Sequence, residues 1–394
     1  MITVEQALAA CLALATPLEP EWVDLADCNG RVLRSRVTAQ RDQPPFAASA
    51  MDGYALSGVG AVPGAVYVVV GEAAAGHIWT GAVGPGQCVR IFTGAPVPQG
   101  ADRIIIQEDV IRDGDQITLG DTLDLANYVR PSGGDFAKGS TISAPRRLRP
   151  TDLALAAAMN QPRLQVGRKP IVALIATGDE LVQPGETPRP DQIIASNTYG
   201  LKAMIEAEGG LARVLPIAKD TVESLSGILS LAQDADLIVT IGGASVGDHD
   251  LVAQVAGSLG LERAFYKIAM RPGKPLMAGR LGQAQLLGLP GNPVSSMVCG
   301  HLFLVPMIHA YLGLPTGPRA TKQAILAEDL GPNGPRQHYM RAQLSIGDGL
   351  PVVTPFERQD SSLISVLAGA DALMIRPANQ AALSAGALVD IIPL

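Results

Sequence analysis

Residues 168–314 carry the feature that most constrains the fold, which is a regular alternation of short apolar runs with helical segments. Strands are predicted at residues 171–176, 212–218 and 237–241, and helices at 197–208, 222–232 and 251–259. The apolar runs are unbroken rather than alternating, as is typical of strands buried on both faces of a sheet. This order predicts a doubly wound α/β domain with a parallel sheet, which we place at residues 168–317.

The segments on either side of this domain differ from it in composition and in hydrophobic periodicity. Residues 42–142 are dense in Gly and Pro, carry short β-branched runs and show almost no helical period, which predicts an inserted all-β module. Helical segments bracket the module, so residues 1–41 and 143–167 are predicted to form one discontinuous N-terminal domain of helices and strands. Thr151 is the expected N-cap of the second bracketing helix. Short strands return after Pro318, which predicts a small C-terminal β-domain over residues 318–394.

Length and charge narrow the class of protein. A chain of 394 residues predicts two to four domains at about 150 residues each. The formal net charge of −7 removes the basic face that nucleic-acid binding requires, and the short cluster Arg146, Arg147 and Arg149 is interpreted as a solvated linker. Nucleic acid is therefore excluded as a partner.

The cysteines and the apolar segments predict a cytoplasmic protein without a membrane partner. The four cysteines are far apart, which favours free buried thiols over a zinc site or a redox pair. Glu5 precedes the N-terminal apolar run and no Lys or Arg does, which argues against a secretory signal. The apolar stretch 297–314 contains His301, Pro306 and His309 and is interpreted as a buried helix.

Small, glycine-rich or acidic residues follow each predicted strand of the α/β domain. They are Glu180 in "TGDELV", Asp220, the segment "GGASVGDHD" at residues 242–250, and "LPGNPVSS" at residues 289–296. Because ligands of open α/β sheets bind beyond the carboxyl ends of the strands, these segments are expected to converge on one crevice.

The residue types in that crevice favour a phosphorylated ligand. Gly242 and Gly243 allow close backbone approach, Ser245 adds a hydroxyl donor, and Asn292 with Pro293 predicts a helix start whose free N–H groups bind phosphate. The carboxylates that accompany these loops indicate Mg²⁺, which binds oxygen ligands and substrate phosphate together. They are Glu180, Asp220, Asp248 and Asp250. Neither a Walker P-loop nor a dinucleotide fingerprint occurs.

Further candidates lie outside these loops. Lys267, Arg271 and Lys274 cluster around a Pro-Gly turn and could face an oxyanion. In the β-module, Asp52 in "PPFAASAMDGYAL" and Thr93 in "IFTGAPVPQGAD" lie on predicted turns. No histidine pair has metal-ligand spacing, and only His249 is expected near the crevice.

Seven motifs in order resemble one known family. "PFAASAMDGYA", "IFTGAPVPQGAD", "ATGDELV", "ASNTYGL", "IGGASVGDHD", "RPGKP" and "LPGNPVSS" are similar to those of the molybdopterin molybdenumtransferases, the MoeA family that includes the E domain of gephyrin. The resemblance implies a homodimer of four-subdomain chains that inserts molybdate into the dithiolene of adenylylated molybdopterin, with Mg²⁺-dependent release of AMP. It also implies a site between the α/β domain of one subunit and the β domains of the other, and partners that include the pterin adenylyltransferase and apo-molybdoenzymes.

The resemblance assigns roles to residues of this sequence. The implied catalytic residues are Asp52, Glu180, Asp220 and Asp250, of which Glu180, Asp220 and Asp250 would also hold the metal. The implied substrate-binding residues are Thr93, Ser245, Lys267, Arg271, Lys274, Pro290, Asn292, Pro293, Arg341 and Ser361. Arg271 stands where the family often has lysine, and the extra acid Asp248 leaves open whether Asp248 or Asp250 is the essential one.

Two other functions remain open at this stage. The α/β domain could itself adenylylate the pterin, or the chain could be a non-catalytic scaffold that delivers the cofactor. The two motifs in the β-module argue against the first, and the full set of acidic residues argues against the second.

Overall fold

The computed structural model describes residues 1–243, 251–347 and 349–394, and it confirms a multidomain α/β plus β fold. The predicted site residues Ser245, Asp248 and Asp250, together with His249, lie outside the described residues.

A six-stranded mixed sheet forms the centre of the α/β domain. Its strands, in spatial order, are Leu211–Val214, Ile171–Ala176, Leu237–Ile241, Ala284–Leu289, Met277–Leu281 and Glu262–Tyr266. The first four are parallel to one another, as predicted, and Met277–Leu281 pairs antiparallel with both of its neighbours, Ala284–Leu289 and Glu262–Tyr266. The strand predicted at 212–218 ends at Val214, because Leu215 is followed by Pro216, which cannot donate to a ladder.

Helices cover both faces of this sheet. They are Asn197–Ala207, Val222–Ser230, Leu251–Ser258, Pro293–Cys299 and Val305–Leu312, the last two joined by the π-helical turn Gly300–Leu304. The continuous helical stretch Pro293–Leu312 is long and apolar enough to cross a membrane by composition, with a mean hydropathy of 1.4. It is a core helix in the structure, because 83% of its most apolar window is buried.

The inserted module between residues 42 and 142 is all-β, apart from one 3₁₀ turn at Gln107–Asp109. Its main sheet has the spatial order Arg103–Ile106, Gly53–Leu56, Gln87–Ile91, Val66–Ala73, Gln116–Leu119 and Val110–Asp113. A second small ladder joins Ala48–Ser49 to Val129–Arg130. The apolar side chains of this sheet are buried in two separate clusters.

Residues on both sides of the module form one sheet, whose order is Pro20–Asp24, Arg163–Gly167, Val32–Leu33 and Arg146–Arg147. A short ladder of Val37–Thr38 with Thr141–Ile142 leads into the module. The arginine cluster is ion-paired: Arg146 and Arg149 contact Asp152, and Arg147 contacts Glu208.

Thr151 is not an N-cap. The helix Pro150–Ala158 is capped at Arg149, whose backbone N–H donates to Asp152 Oδ2 at 2.9 Å. Pro150 explains why the N-cap lies two residues before the predicted one, since its fixed φ and missing N–H suit the first helical residue.

The first helix, Val4–Leu14, packs away from that sheet. Its buried residues Val4, Ala7, Leu8 and Cys11 lie in the core of the α/β domain. The predicted boundaries grouped this helix with the discontinuous domain, whereas its apolar face covers the α/β sheet.

The C-terminal region is a closed five-stranded barrel. Its strands in order are Gln337–Ser345, Val352–Pro355, Lys322–Leu326, Leu388–Pro393 and Ala372–Arg376, and the last pairs with the first. The short strand Met270–Arg271 of the α/β domain joins Gln337–Ser345 in parallel, and the short helix Ile364–Ala368 packs beside the barrel. The barrel is therefore tied to the α/β domain through main-chain hydrogen bonds.

Candidate active site

A cavity of about 1000 Å³ opens at the carboxyl ends of the parallel strands. The predicted strand-end residues that line it are Glu180, Asp220, Gly242, Gly243, Pro290, Asn292 and Pro293. The sequence therefore predicted correctly that four separate segments meet in one crevice, as the topology of an open parallel sheet requires.

Carboxylates are concentrated on one side of this cavity. Asp179, Glu180 and Asp220 follow neighbouring strands, and the Asp220 backbone N–H donates to Asp179 Oδ1 at 3.3 Å. Partial desolvation and the negative charges of Asp179 and Glu180 raise the pKa of Asp220 above its ordinary value. The three acids thus lie close enough to repel one another, and a cation placed among them would relieve that repulsion.

The absence of a side chain at Gly178 leaves the space that the Glu180 carboxylate occupies. The φ of Gly178 is +145°, and a Cβ there would lie 2.4 to 2.7 Å from the Glu180 carboxylate. A side chain at position 178 would therefore displace Glu180. On the next strand, Gly242 has a φ of +96°, and a Cβ would lie 2.8 Å from the carbonyl oxygen of Thr177.

The opposite side of the cavity is the start of the helix Pro293–Cys299. Asn292 occupies the N-cap position and Pro293 the first helical position, as predicted, but the Asn292 side chain makes no capping hydrogen bond. Asn292 Nδ2 donates instead to Ser361 Oγ at 2.9 Å, and the Val294 N–H donates to the Ser361 carbonyl at 3.1 Å. Ser361 of the C-terminal barrel therefore reaches the cavity edge of its own chain, whereas the resemblance implied that the β domains reach it from a partner.

Arg341 lies directly behind Ser361. It is fully buried, and its Nη2 donates to the Asp360 carbonyl at 2.9 Å, while Nε and Nη1 have no partner among the described residues. Gln359 fixes the Arg341 backbone by accepting from its N–H and donating to its carbonyl, both at 3.0 Å. Burial and the charge of Arg271 lower the pKa of Arg341. A buried guanidinium with free donors is a strong anion ligand.

The three cations of the "YKIAMRPGKP" segment are not on the described wall of the cavity. Pro275 lines the cavity, directly after Lys274. Lys267 has a φ of +67° and its Nζ lies 4.7 Å from the centre of the Tyr266 ring. Among the described residues, neither Arg271 nor Lys274 forms an ion pair.

The two β-module candidates contact each other. Asp52 Oδ1 accepts from the Thr93 N–H at 2.7 Å and from Thr93 Oγ1 at 2.8 Å. These two donors lower the pKa of Asp52, so it is ionised at neutral pH. No described residue of the module lines the cavity within the same chain.

The sequence reasoning missed several residues of this site. Asp179 belongs to the "TGDELV" motif, but the sequence predicts no separate role for it, although its charge raises the pKa of Asp220. Ser196 and Asn197 also line the cavity, and Asn197 Nδ2 donates to the Gly291 carbonyl at 2.7 Å. The motif "ASNTYGL" was the available signal for these two. Among the described residues, no group of three or more His, Cys, Asp or Glu has the geometry of a complete metal site.

Comparison with known proteins decides the family. Residues 2–160 match the family described as MoeA N-terminal region (domain I and II), residues 173–310 match the probable molybdopterin binding domain, and residues 323–394 match the MoeA C-terminal region (domain IV). The chain belongs to the molybdopterin molybdenumtransferase family, MoeA. As a member of this family, the protein is an enzyme, a transferase of molybdenum cofactor biosynthesis.

Relatives from distant organisms align over nearly the whole chain. The molybdopterin molybdenumtransferase of Nostoc is 34% identical, with 95% of this chain and 89% of the relative covered. Molybdopterin molybdenumtransferase 2 of Mycobacterium tuberculosis is also 34% identical, with 94% of each covered. The crystal structure of a MoeA protein of Pyrococcus horikoshii matches with a TM-score of 0.86 at 28% identity, and 100% of this chain and 99% of that one are covered. The predicted family membership is therefore confirmed.

Proposed function

We propose that this MoeA family member inserts molybdate into the dithiolene of adenylylated molybdopterin and releases AMP with the help of Mg²⁺. The observation that carries the proposal is the cavity itself, which is lined by the carboxylates of Glu180 and Asp220, a helix start and two glycine-rich strand ends, with Asp179 hydrogen-bonded beside Asp220. Backbone donors suit the phosphates of an adenylylated substrate, and carboxylates suit the cation that such phosphates bring. The names of the relatives, molybdopterin molybdenumtransferases, support molybdopterin as the acceptor of molybdenum, for which we propose molybdate as the source.

The donor set fits Mg²⁺. Glu180 and Asp220 would hold it, with Asp250 as the third acid that the resemblance implies, and Asp179 adds negative charge beside them. Burial raises the pKa of Asp220, and the negative charges of Asp179 and Glu180 raise it further, as expected for acids that lie close together without a cation. When bound, Mg²⁺ supplies charge neutralisation for a phosphate that is being cleaved.

We assign separate roles in this reaction to two groups of residues. Glu180 and Asp220 position the phosphoanhydride side of the substrate, and water cleaves the bond to adenylate, so that AMP leaves and the pterin keeps its own phosphate. Lys267, Arg271, Lys274, Arg341 and Ser361 provide the cationic and hydroxyl groups that a tetrahedral oxyanion such as molybdate needs. The unpartnered Nε and Nη1 of the buried Arg341 support this assignment.

We further propose that the enzyme is a homodimer and that Asp52 and Thr93 complete the site of the partner. The absence of residues 42–142 from the described wall of the cavity in one chain supports this arrangement, because an ionised Asp52 held by two donors otherwise has no described role. A cytoplasmic location is proposed with it, and the four buried free cysteines support a reducing compartment.

One assay separates the proposed reaction from its alternatives. Purified protein is given adenylylated molybdopterin, with and without molybdate and Mg²⁺, and AMP is measured. Release of AMP that requires both additions supports the proposal. Pyrophosphate formation from ATP and molybdopterin would instead identify an adenylyltransferase, and bound pterin without turnover would identify a scaffold. Either result overturns the proposal.

A further inference from the structure

Arg90 lies between the two loops of the β-module that carry Asp52 and Thr93. It belongs to the strand Gln87–Ile91, three positions before Thr93. The register of the sheet places it opposite Tyr54, two positions after Asp52. The sequence motifs assign no role to Arg90, although it directly precedes one of them and pairs with the other.

The guanidinium group of Arg90 packs against aromatic rings from both loops. Its central carbon lies 4.7 Å from the centre of the Phe92 ring and 5.1 Å from the centre of the Tyr54 ring. Phe92 directly precedes Thr93, and Tyr54 follows Asp52 by two residues. Because a guanidinium plane stacks favourably on aromatic faces, these contacts hold the Arg90 side chain against both loops.

Hydrogen bonds from Arg90 reach the main chain around Asp52. Arg90 Nη1 donates to the Gly53 carbonyl at 3.2 Å, and Nη2 donates to Gln107 Oε1 at 2.6 Å. The Gln107 backbone N–H in turn donates to the Asp52 carbonyl at 3.1 Å. Arg90 therefore fixes the backbone of Asp52 through Gly53 and, by way of Gln107, through the Asp52 carbonyl itself.

The charge of Arg90 also acts on the Asp52 carboxylate. The backbone and side-chain donors of Thr93 lower the pKa of Asp52 most, and the positive charge of Arg90 lowers it further. The donors and the charge thus favour the same ionised state of Asp52.

Two described carboxylates lie on elements next to Arg90 without forming an ion pair with it. Glu72 is its register partner on the neighbouring strand, and Glu108 accepts from Gln107 Nε2 at 3.2 Å. Within the part of the chain that the structure describes, Arg90 has no ion-pair partner. Its positive charge is therefore not neutralised by a contacting acid.

We propose that Arg90 is a positioning residue that holds Asp52 and Thr93 in the geometry that the reaction uses. The inference rests on the proposed function, since that function gives Asp52 its part in turnover. Lysine would keep the charge but has neither the plane that stacks on two rings nor the fork that reaches two acceptors. Arg90→Lys should therefore replace the wild-type residue only in part.

Direct titration of Asp52 tests the proposal without turnover. Full-length protein labelled with ¹³C at the aspartate carboxyl groups is titrated by NMR, and the Asp52 signal is assigned by its loss in Asp52→Asn. We expect Arg90→Met to raise the pKa of Asp52, because the charge is lost and the Thr93 hydrogen bonds are loosened. Arg90→Lys keeps the charge and should raise it less. The control is Arg112→Met, at an exposed arginine of the same sheet, which should leave it unchanged.

A variant outside Arg90 guards against misfolding of Arg90→Met. Gln107→Ala, at an exposed residue, removes the acceptor of Arg90 Nη2 and keeps the backbone N–H that donates to Asp52. We expect it to raise the pKa of Asp52 as well, by less than Arg90→Met does.

Turnover gives a second measurement. We expect Arg90→Met to lower kcat for molybdate-dependent AMP release about tenfold, because the catalytic geometry is loosened, with KM nearly unchanged. The acid limb of its pH–rate profile should move to higher pH, in the same direction as the pKa of Asp52. Arg90→Lys should retain more activity than Arg90→Met.

Two results would overturn the inference. One is an Asp52 pKa that stays at the wild-type value in Arg90→Met, Arg90→Lys and Gln107→Ala. The other is a loss of stability in urea with wild-type kcat and pH–rate profile, which would show that Arg90 only supports the fold. The proposed function fails separately, if wild-type protein releases no AMP in response to molybdate. The NMR titration would still decide in that case whether Arg90 holds the Asp52–Thr93 pair.

Discussion

Asn292 Nδ2 donates a hydrogen bond to Ser361 Oγ at 2.9 Å, although 69 residues separate them in the chain. The bond joins the helix start of the α/β domain to the loop of the C-terminal barrel that also carries the carbonyl acceptor of Arg341. The two domains are thereby joined at the edge of the cavity, and the bond fixes the loop beside the buried Arg341 relative to the helix start.

Ser361→Ala is expected to lower molybdate-dependent AMP release about tenfold, because the mutation removes both the acceptor for Asn292 and a hydroxyl near the oxyanion. A double-mutant cycle with Asn292→Ala is expected to give a coupling free energy of about 0.5–1.5 kcal/mol in unfolding by urea. Ser365→Ala, at an exposed serine of the adjacent helix, is the control. Additive effects of the two single substitutions would show that the hydrogen bond is not made.

Thr93→Val removes one of the two donors to Asp52 and keeps the backbone N–H. Since both donors lower the pKa of Asp52, losing one raises it toward the ordinary value. If ionised Asp52 is required for turnover, the acid limb of the pH–rate profile moves to higher pH, and Thr80→Val at an exposed site of the module leaves it unchanged. An acid limb that stays in place would separate Asp52 from the reaction.

Asp179→Asn tests the acidic side of the cavity. Asparagine keeps an oxygen that can accept from the Asp220 N–H but removes a negative charge that raises the pKa of Asp220. The pKa of Asp220 therefore falls, and the midpoint of the pH dependence of Mg²⁺ binding moves to lower pH. Asp234→Asn, before the strand Leu237–Ile241 and thus away from its carboxyl end, is the control. A midpoint that moves upward contradicts the account.

Glu208 stabilises the junction of three regions. Its carboxylate contacts His309 at 2.8 Å, Arg319 at 3.3 Å and Arg147 at 3.4 Å, and chiefly the His309 hydrogen bond lowers its pKa from 4.5 to about 2. Because the folded pKa is depressed, this stabilisation is full above about pH 4.5 and is lost as the pH falls toward 2.

Glu208→Gln is therefore expected to lower the free energy of unfolding at pH 7 by about 1–2 kcal/mol, a range that allows for solvent screening of the half-buried carboxylate. The difference from wild type is expected to shrink at pH 3. Glu206→Gln breaks only the exposed pair with Lys202 on the same helix and should change stability by less than about 0.5 kcal/mol. A pH-independent difference for Glu208→Gln would contradict the assignment.

Mixing two inactive variants tests whether the site is shared between subunits. Asp52→Ala and Glu180→Ala are each expected to abolish AMP release without unfolding the protein. If Asp52 serves the partner's cavity, subunit exchange creates heterodimers with one intact site, and the mixture regains about a quarter of wild-type activity in a symmetric dimer. No recovery after complete exchange would place Asp52 in the cavity of its own chain.

Much of the site was predictable because parallel-sheet topology brings the carboxyl ends of strands together. The apolar runs at Ile171–Ala176 and Leu237–Ile241 were predicted with their observed bounds, so the residues that follow them were placed correctly. Glu180, Asp220, Gly242 and Asn292 line one cavity for that reason.

Tertiary contacts explain what the sequence could not predict. No local pattern indicates that the Asn292 side chain would bond Ser361 instead of capping its own helix, or that the first helix would pack on the α/β sheet. The antiparallel strands Glu262–Tyr266 and Met277–Leu281 were also missed, because the pattern of alternating helices and strands stops before them. The prediction of Thr151 as N-cap was wrong because the adjacent Pro150 is the first residue of the helix.

The central claim is that this chain couples molybdate insertion to loss of adenylate, and single-turnover stoichiometry tests it most directly. Enzyme is mixed with a limiting amount of adenylylated molybdopterin, Mg²⁺ and molybdate, and the AMP released and the molybdenum bound to the pterin are measured in the same sample. The account predicts equal molar amounts of the two, with neither formed when molybdate or Mg²⁺ is left out. AMP release without a matching gain of pterin-bound molybdenum would contradict it.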